Sequence, residues 1–314
     1  MKKENIKIIL ANPRGFCAGV ERAIAIVEKA LKKYGPPIYV RHEIVHNKYV
    51  VEKLQYMGAI FVDEIEQIPK DAVVIFSAHG VSQAVEDEAQ FRKLNILDAT
   101  CPLVKKVHKE AQNYISEGRK LILIGHKNHP EIEGTSGRVQ KDEVLLVENL
   151  EQLHKLDLPS DMKLSYVTQT TLSVDDTKHI TDALHTKYTD IKGASSKDIC
   201  YATQNRQDAV KKMVQHIELL VVIGSTNSSN SNRLKDLGTT HGVESHLIDN
   251  AEQLDLSWLF KKKVIGITAG ASAPEILLEQ ILYKLESHYN IDLEEMSGIQ
   301  ENIKFNTPKI LENL

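Results

Sequence analysis

The sequence has no long apolar run, no excess of basic residues and few cysteines. None of its apolar stretches approaches the roughly 18 residues that a membrane-spanning helix needs. The formal net charge of −4 argues against a nucleic-acid-binding protein, because such proteins usually carry a strongly basic face. The apolar part of the opening MKKENIKIIL is too short for a signal peptide. We therefore expect a cytoplasmic protein that binds neither nucleic acid nor membrane.

Only three cysteines occur in the 314 residues, at Cys17, Cys101 and Cys200. An odd number of scattered cysteines argues against a disulfide framework. The cysteines stand 84 and 99 residues apart, and each gap is about the size of a small domain. Apolar residues recur at helical spacing after each cysteine, as at Val20 and Ile24 after the first. This recurrence predicts a threefold repeat in which each cysteine begins a helix.

Two β-type runs follow each cysteine at similar distances. The runs are residues 38–40, 121–125 and 219–224, then residues 73–76, 164–167 and 264–267. Alternating strands and helices predict parallel sheets with helices on their faces. We expect an α/β fold of three similar αβα domains, arranged with pseudo-threefold symmetry around a central metal cluster. The predicted lobes are residues 14–99, 100–196 and 197–284, and residues 285–314 are predicted to form a polar C-terminal tail.

The loops after these strands are rich in hydrogen-bonding side chains. Parallel α/β sheets bind their ligands at the carboxyl ends of strands. Small hydroxyls, imidazoles and glycine-exposed amides suit a phosphate-bearing ligand. A single residue of this kind is more often structural, but recurrence of the same loop type favours a binding role. The candidates are His46, His79, His129, Glu131, Thr170, Thr171, Ser228, Ser229, Asn230 and Ser272.

The three cysteines would meet near the pseudo-threefold axis if the repeat is real. A helix N-terminus favours the thiolate, and three thiolates form a soft metal site. A four-iron cluster with three cysteine ligands keeps one iron open, which can act as a Lewis acid. Three inert buried cysteines and a Cys3His zinc site stay open as alternatives on spacing alone.

Glu131 is the outstanding acid among these loops. A carboxyl group in an enclosed, partly apolar site can hold a proton near neutral pH and deliver it to a leaving hydroxyl. An exposed loop glutamate is the alternative for this residue.

These loops resemble those of the LytB family, the hydroxymethylbutenyl diphosphate reductases that catalyse the last step of the methylerythritol phosphate route to isoprenoids. The matching stretches run in order from about residue 11 to residue 274. They are ANPRGFCAGVERAI, RHEIVHN, SAHGVS, DATCPLV, GHKNHPEIEGTSG, TQTTLSVDDT, CYATQNRQ, GSTNSSNS and TAGASAP. The resemblance implies a three-lobed fold in which residues 1–13 pack with the third lobe.

The resemblance also implies roles for individual residues. Cys17, Cys101 and Cys200 would hold one [4Fe–4S] cluster with an open iron, which becomes [3Fe–4S] when that iron is lost. Glu131 would be the proton donor, with Thr170 relaying the proton or orienting the substrate. The diphosphate of the substrate would be held by His46, His79, His129, Ser228, Ser229, Asn230 and Ser272, and Thr171 completes the predicted substrate-binding set.

The implied reaction converts (E)-4-hydroxy-3-methylbut-2-enyl diphosphate to isopentenyl and dimethylallyl diphosphates. It is a two-electron reductive dehydroxylation with a ferredoxin or flavodoxin as electron donor. A quinolinate-synthase-like lyase, which also has three lobes and three cysteines, is the main alternative. A cluster-based regulatory sensor is a weaker one, since no basic helix-turn-helix pattern is present. A nicotinamide-dependent dehydrogenase is weaker again, because no G-x-G-x-x-G follows the first strand.

Overall fold

The computed structural model describes residues 3–193 and 198–311 as alternating strands and helices. The strands are β1 (Glu4–Leu10), β2 (Ile38–Arg41), β3 (Ala59–Val62), β4 (Val73–Phe76), β5 (Asn95–Asp98), β6 (Lys120–Ile124), β7 (Val144–Val147), β8 (Leu164–Thr168), β9 (Ile191–Lys192), β10 (Leu219–Ile223), β11 (Glu244–Ile248), β12 (Val264–Ala269) and β13 (Tyr289–Glu295). All six strands expected from the β-type runs are present. They are β2, β4, β6, β8, β10 and β12.

The helices follow the cysteines as the repeat predicts. They are α1 (Ala18–Tyr34), α2 (Lys48–Tyr56), α3 (Gln83–Phe91), α4 (Pro102–Ser116), α5 (Pro130–Ser136), α6 (Leu150–His154), α7 (Val174–Lys187), α8 (Tyr201–Met213), α9 (Ser229–Thr240) and α10 (Glu275–His288). Short 3-10 turns lie at Ile65–Gln67, Lys141–Glu143, Ala251–Gln253, Leu256–Leu259 and Lys309–Leu311. None of the helices in residues 3–193 and 198–311 has both the length and the apolar character that crossing a bilayer requires.

The strands form three sheets, and every strand pairing among the described residues is parallel. Their strand orders are β3-β2-β4-β5, β7-β6-β8-β9 and β11-β10-β12-β1-β13. Parallel strands need crossover connections, and here most of these contain a helix or a short helical turn. The predicted α/β class with mainly parallel sheets is therefore confirmed.

One strand order recurs in all three sheets. The first strand after each cysteine lies inside its sheet, the second lies at the edge, and the third lies on the other side of the first. The fourth position is taken by the strand that leads to a cysteine: β5 before Cys101, β9 before Cys200 and β1 before Cys17. The N-terminal strand β1 thus completes the sheet formed by β10, β11 and β12, from the far end of the chain.

The described chain forms two compact units. The first unit contains the five-stranded sheet and comprises the chain up to Glu21, His46–Lys53 and Tyr201–Lys304. The second contains both four-stranded sheets and comprises Arg22–Val45, Leu54–Cys200 and the chain from Phe305 onward. The lobe boundaries expected from the sequence stay a prediction. The boundary between residues 196 and 197, and residues 312–314 of the expected tail, lie outside the described residues.

The five-stranded sheet of the first unit is buried on both faces at its strand β10. In β10, Leu219, Val221 and Ile223 belong to one apolar core, and Leu220 and Val222 belong to the other. Successive side chains of a strand point to opposite faces, so a strand covered on both sides needs apolar residues at every position. This requirement explains the uninterrupted run LLVVI of β10. Because β10 is buried, the loop at its carboxyl end is anchored in the core.

The second unit repeats this packing around β6. Ile122 and Ile124 belong to one core cluster, while Leu121 and Leu123 belong to a second cluster. The second cluster includes Val107 and Ala111 of α4, the helix that follows Cys101. The apolar stripe predicted after that cysteine therefore packs on the sheet that lies next in the chain.

The C-terminal residues are not simply a polar tail. Helix α10 continues to His288, and β13 pairs with β1 over its whole length, from Glu4 with Tyr289 to Leu10 with Glu295. Most of the side chains of β13 are exposed, so the sequence carries no strong apolar pattern there. Its extended conformation depends on pairing with a strand at the opposite end of the chain. Sequence patterns report such long-range pairing poorly.

Candidate active site

Each of the three cysteines stands one residue before a helix. Cys17 precedes α1, Cys101 is the N-cap of α4 with Pro102 at the first helical position, and Cys200 precedes α8. All three are free of disulfide bonds. Cys17 belongs to the first unit, and Cys101 and Cys200 belong to the second. Convergence of the three thiols stays a prediction.

A backbone hydrogen bond fixes each cysteine in an equivalent way. The cysteine N–H donates to a carbonyl in the loop after the third strand of the same sheet. The pairs are Cys17 with Ala271 at 3.2 Å, Cys101 with Ala78 at 3.0 Å and Cys200 with Thr170 at 3.0 Å. Since these loops follow β12, β4 and β8, the repeat seen in the sequence extends to the position of single backbone atoms.

The residue after each acceptor carbonyl is one of the predicted substrate-binding residues. These residues are His79, Thr171 and Ser272. Three different side-chain types therefore occupy equivalent positions. Each directly follows the residue whose carbonyl accepts the hydrogen bond from a cysteine N–H.

Glu131 lies in the first turn of α5 and is buried, with 2 % of its surface exposed. Its Oε1 accepts a hydrogen bond from the backbone N–H of Thr170 at 2.6 Å, and its Oε2 lies 3.0 Å from the Thr170 hydroxyl. The carbonyl of Thr170 accepts the bond from Cys200, so one residue joins the predicted acid to a predicted cluster ligand.

Burial raises the pKa of Glu131 to about 7, because the ionised carboxylate loses its hydration. The two hydrogen bonds from Thr170 lower the pKa, and the nearby charge of Asp198 raises it. Removal of water is the dominant effect. The result is a carboxyl group that can both hold and release a proton near neutral pH.

His79 and His129 bring two imidazole rings together from the two sheets of the second unit. Their ring centroids are 5.8 Å apart, with the rings edge to face. His129 is the N-cap of α5, and its Nδ1 accepts from the backbone N–H of Glu131 at 3.1 Å. This bond assigns the proton of the neutral ring to Nε2.

Thr171 is hydrogen-bonded to Gln169, a residue that is not among those predicted from the sequence. Its Oγ1 accepts from the Nε2 amide of Gln169 at 2.8 Å, and Gln169 Oε1 accepts from the N–H of His126 at 3.1 Å. Gln169 is almost fully buried. Its amide therefore joins the loop after β8 to the loop after β6.

The remaining predicted residues belong to the first unit. The hydroxyl of Ser272 donates to the backbone carbonyl of His46 at 2.8 Å, and the His46 ring nitrogen Nδ1 lies 3.4 Å from the amide of Asn227. Ser228 is the N-cap of α9, where its Oγ accepts from the N–H of Ser231 at 3.3 Å.

Asn230, in the first turn of α9, has an unsatisfied side chain. It is 4 % exposed, and neither its Nδ2 nor its Oδ1 has a hydrogen-bond partner among the described residues. A buried amide without partners destabilises a fold by about 1–3 kcal/mol. An unsatisfied donor in the first turn of a helix suits a group that accepts hydrogen bonds, such as a phosphate.

Cys17 shows that a helix N-terminus alone does not decide thiol ionisation. Loss of solvent raises the pKa of this thiol above its ordinary value. The backbone N–H groups of Val20 and Gly19 and the guanidinium of Arg206 act in the opposite direction but are smaller influences. At this thiol, desolvation therefore outweighs the preference for thiolate that is expected at a helix N-terminus.

Two further charged residues hold these loops, and neither is among the site residues predicted from the sequence. Arg206 is fully buried in α8 and donates to the carbonyl of Gly15. Asp198 is also buried, and its Oδ2 accepts from the N–H of Thr168 at 3.0 Å, at the end of β8. Burial raises the pKa of Asp198 to about 7. Arg206 occupies a position in the apolar stripe of α8. A charged residue at such a position is the sequence signal that could have identified it.

No group of three or more His, Cys, Asp and Glu residues arranged to hold one metal ion occurs within residues 3–193 and 198–311. The cluster and its ligands therefore stay predictions from the sequence.

Comparison with known proteins identifies the family. A family model described as LytB protein matches residues 8–286. The chain belongs to the LytB family. Rhodopseudomonas palustris has a 56 % identical relative, named 4-hydroxy-3-methylbut-2-enyl diphosphate reductase 1, in an alignment covering 96 % of this chain and 98 % of the relative. A Nitrosomonas europaea relative, named 4-hydroxy-3-methylbut-2-enyl diphosphate reductase, is 54 % identical over 97 % of each chain.

Two solved structures resemble this member of the LytB family. The E-1-hydroxy-2-methyl-but-2-enyl-4-diphosphate reductase of Plasmodium falciparum superimposes with a TM-score of 0.92 at 39 % identity, over 99 % of this chain and 97 % of the other. A second structure is titled (E)-4-hydroxy-3-methyl-but-2-enyl diphosphate reductase, the terminal enzyme of the non-mevalonate pathway. It gives a TM-score of 0.64 at 32 % identity, over 90 % of this chain and 99 % of the other.

The raised pKa of Glu131 predicts a specific pH dependence of stability. The group ionises near its ordinary pKa of 4.5 when unfolded and at about 7 when folded, so the folded chain binds more protons between these values. Stability from this group is present below pH 4.5 and is lost as the pH rises through 7. We therefore compare the free energies of unfolding of Glu131→Gln and the wild type. The difference between them should change by about 3 kcal/mol in favour of the variant when the pH is raised from 4.5 to 8.

Urea unfolding at these two pH values measures the difference. Glu133→Gln is the matched control, because Glu133 lies on the same short helix but is exposed. Its stability should follow the wild-type pH profile. A constant difference between Glu131→Gln and wild type at both pH values would contradict the assigned pKa.

Proposed function

We propose that this chain is a 4-hydroxy-3-methylbut-2-enyl diphosphate reductase that forms isopentenyl and dimethylallyl diphosphates. The observation that carries the proposal is the buried carboxyl of Glu131, bound to Thr170, whose carbonyl in turn accepts from Cys200. This arrangement places a group with a near-neutral pKa beside a predicted cluster ligand. The names of the close relatives support the same reaction.

The proposed reaction removes an allylic hydroxyl. Two electrons and two protons enter, the carbon–oxygen bond breaks, and the oxygen leaves as water. One proton goes to the leaving oxygen and the other to a carbon of the allyl group. The position of this second proton determines which of the two products forms.

The cysteines fit an iron–sulfur cluster by their chemistry. None of the three forms a disulfide bond, each stands directly before a helix, and each is fixed by an equivalent backbone hydrogen bond. Cys17, Cys101 and Cys200 would hold one [4Fe–4S] cluster. When bound, such a cluster supplies electrons one at a time and has one iron without a protein ligand, which can act as a Lewis acid.

Glu131 would supply the proton that the leaving hydroxyl needs. Protonated Glu131 can donate from Oε2 to the Thr170 hydroxyl 3.0 Å away, and a hydroxyl can accept one proton while donating another. Thr170 is therefore suited to relay the proton. Its backbone N–H holds Oε1, so the carboxyl stays in one orientation during the transfer.

The diphosphate of the substrate would bind the polar groups at the other strand ends. Asn230 offers a buried side-chain amide without a partner, in the first turn of α9, where the helix dipole favours an anion. His79 and His129 offer two adjacent imidazoles. Binding of this unreactive end of the substrate supplies free energy that can position the hydroxymethyl end for reaction.

A ferredoxin or flavodoxin is the proposed electron donor, and the cytoplasm is the proposed location. The lyase alternative is disfavoured because the close relatives carry reductase names. Product analysis distinguishes the two reactions directly, since only the reductase releases the two five-carbon diphosphates.

Glu131→Gln tests the proton-donor role. The amide preserves the shape and can accept from Thr170, but it has no acidic proton. We expect iron and sulfide content and substrate binding to match the wild type, while kcat falls by about 100-fold or more. Anaerobic turnover with a chemical reductant measures the effect, with Glu133→Gln as the control that retains activity. Near-normal kcat in Glu131→Gln would contradict the role.

Asn230→Leu tests the diphosphate contact. Leucine matches the shape of asparagine but has no polar atoms, so the ligand-free fold should be as stable as the wild type or more stable. We expect the affinity for inorganic diphosphate to fall about tenfold or more. Calorimetric titration and thermal unfolding measure the two effects.

Asn232→Leu provides the contrast on the same helix. The amide of Asn232 donates to the carbonyls of Thr226 and Ser228, so its loss should lower stability. Unchanged diphosphate affinity in Asn230→Leu would refute the assignment of Asn230.

A further inference from the structure

The chain after α10 follows the N-terminal strand toward Cys17. We name residues 289–304 the C-terminal strap. It starts as β13 alongside β1 and belongs entirely to the first unit. The matched family region ends at residue 286, so the strap lies beyond it. Neither the predicted ligands nor the predicted substrate contacts come from this segment.

The strap stays against the N-terminal chain after the strands end. The N–H of Met296 donates to the carbonyl of Leu10 at 3.0 Å. Gly298 lies so close to Asn12 that a Cβ atom at position 298 would be 2.1 Å from the Asn12 carbonyl oxygen. Only glycine fits this approach, so the strap is in direct contact with the loop that leads to Cys17.

Arg206 holds the two residues before Cys17. Its Nε and Nη2 donate to the carbonyl of Gly15 at 3.0 and 2.7 Å, and Nη2 also donates to the carbonyl of Phe16 at 3.2 Å. Arg206 is fully buried. The fork of the guanidinium thus fixes the direction of the backbone as it reaches Cys17.

Glu301 of the strap is the counter-ion of Arg206. Its two carboxylate oxygens lie 3.1 to 3.3 Å from Nη1 and Nη2. A buried charge that loses its partner destabilises the structure strongly, because no solvent replaces the lost interaction. Asn205 also donates to Glu301, at 2.9 Å. The strap therefore determines whether Arg206 stays aimed at the Cys17 loop.

Helix α8 also holds the chain on the other side of Cys17. The N–H of Ala18 donates to the hydroxyl of Tyr201 at 3.2 Å. The residues before and after Cys17 are thus both fixed by α8. Of these contacts, only those of Arg206 depend on the strap.

We propose that Glu301 and Arg206 are positioning residues, through which the C-terminal strap holds Cys17 in the conformation that binds the cluster. The part of the inference that concerns the cluster rests on the proposed function. The part that concerns the loop does not, because its contacts join protein groups only. Loss of the pair should loosen Cys17 selectively, without loosening Cys101 or Cys200.

Glu301→Gln in the full-length chain tests the inference by thiol labelling. We expect maleimide labelling of Cys17 in the iron-free protein to accelerate about tenfold. The reason is that Arg206 loses a charged hydrogen-bond partner, so the loop before Cys17 opens more often. Labelling of Cys101 and Cys200, followed in the same sample by peptide mass spectrometry, should not change. Glu294→Gln is the control, because Glu294 lies on the same strap but pairs with Lys7 at the surface.

Gly298→Ala provides a second variant that changes no charge. Its Cβ forces the strap away from Asn12 while Glu301 keeps its charge, so Cys17 should again label faster than in the wild type. Equal acceleration at all three cysteines would indicate general destabilisation and would overturn the proposal. Unchanged Cys17 labelling in both variants would overturn it as well.

Iron retention separates this proposal from the proposed function. After anaerobic reconstitution, we expect Glu301→Gln to lose iron to a chelator faster than wild type and Glu294→Gln. Equal retention in all three would overturn the link between the strap and the cluster. If the wild type itself takes up no iron and sulfide, the proposed function fails, while selective labelling of Cys17 would still establish the positioning role.

Discussion

One backbone hydrogen bond per cysteine fixes the chain at each of the three predicted cluster ligands. Each bond runs from the cysteine N–H to a carbonyl just past the third strand of a sheet. Those strands are buried on both faces or pack in the core, so their ends have little freedom. The backbone of each cysteine is therefore positioned by the packing of its own sheet. The same strand ends carry the predicted substrate contacts, so within each unit the predicted ligand and substrate groups rest on the same sheets.

Thr170 extends this constraint to the proton donor. Its N–H binds Glu131 and its carbonyl binds Cys200, so any shift of this residue moves the acid and the ligand together. Glu131 is at the same time cut off from water, which is what keeps its pKa near neutral. An exposed glutamate would be ionised at neutral pH and could not serve as an acid. The geometry and the proton affinity thus have one common origin, the burial of the turn at the start of α5.

The sequence predicts those parts of the molecule that depend on local pattern. The run LLVVI of β10 and the stripe of α1 that includes Val20 and Ile24 are buried as expected. Parts that depend on pairing between distant segments were not predictable. Strand β13 has mostly exposed side chains and exists because β1 lies beside it. The charge of Arg206 on the apolar stripe of α8 is visible in the sequence, but nothing in the local pattern shows that Gly15 and Glu301 surround it.

Two groups at the strand ends make the ligand-free fold less stable than it could be. The amide of Asn230 is buried without a partner, and Glu131 resists ionisation over the pH range in which an exposed glutamate would be charged. Apolar residues of similar shape would remove both penalties, so packing cannot be the reason for either side chain. Both groups instead suit a ligand that brings an acceptor to Asn230 and takes a proton from Glu131. An allylic diphosphate carries hydrogen-bond acceptors in its phosphates and a hydroxyl that leaves with a proton, so its chemistry matches what each of these two groups requires.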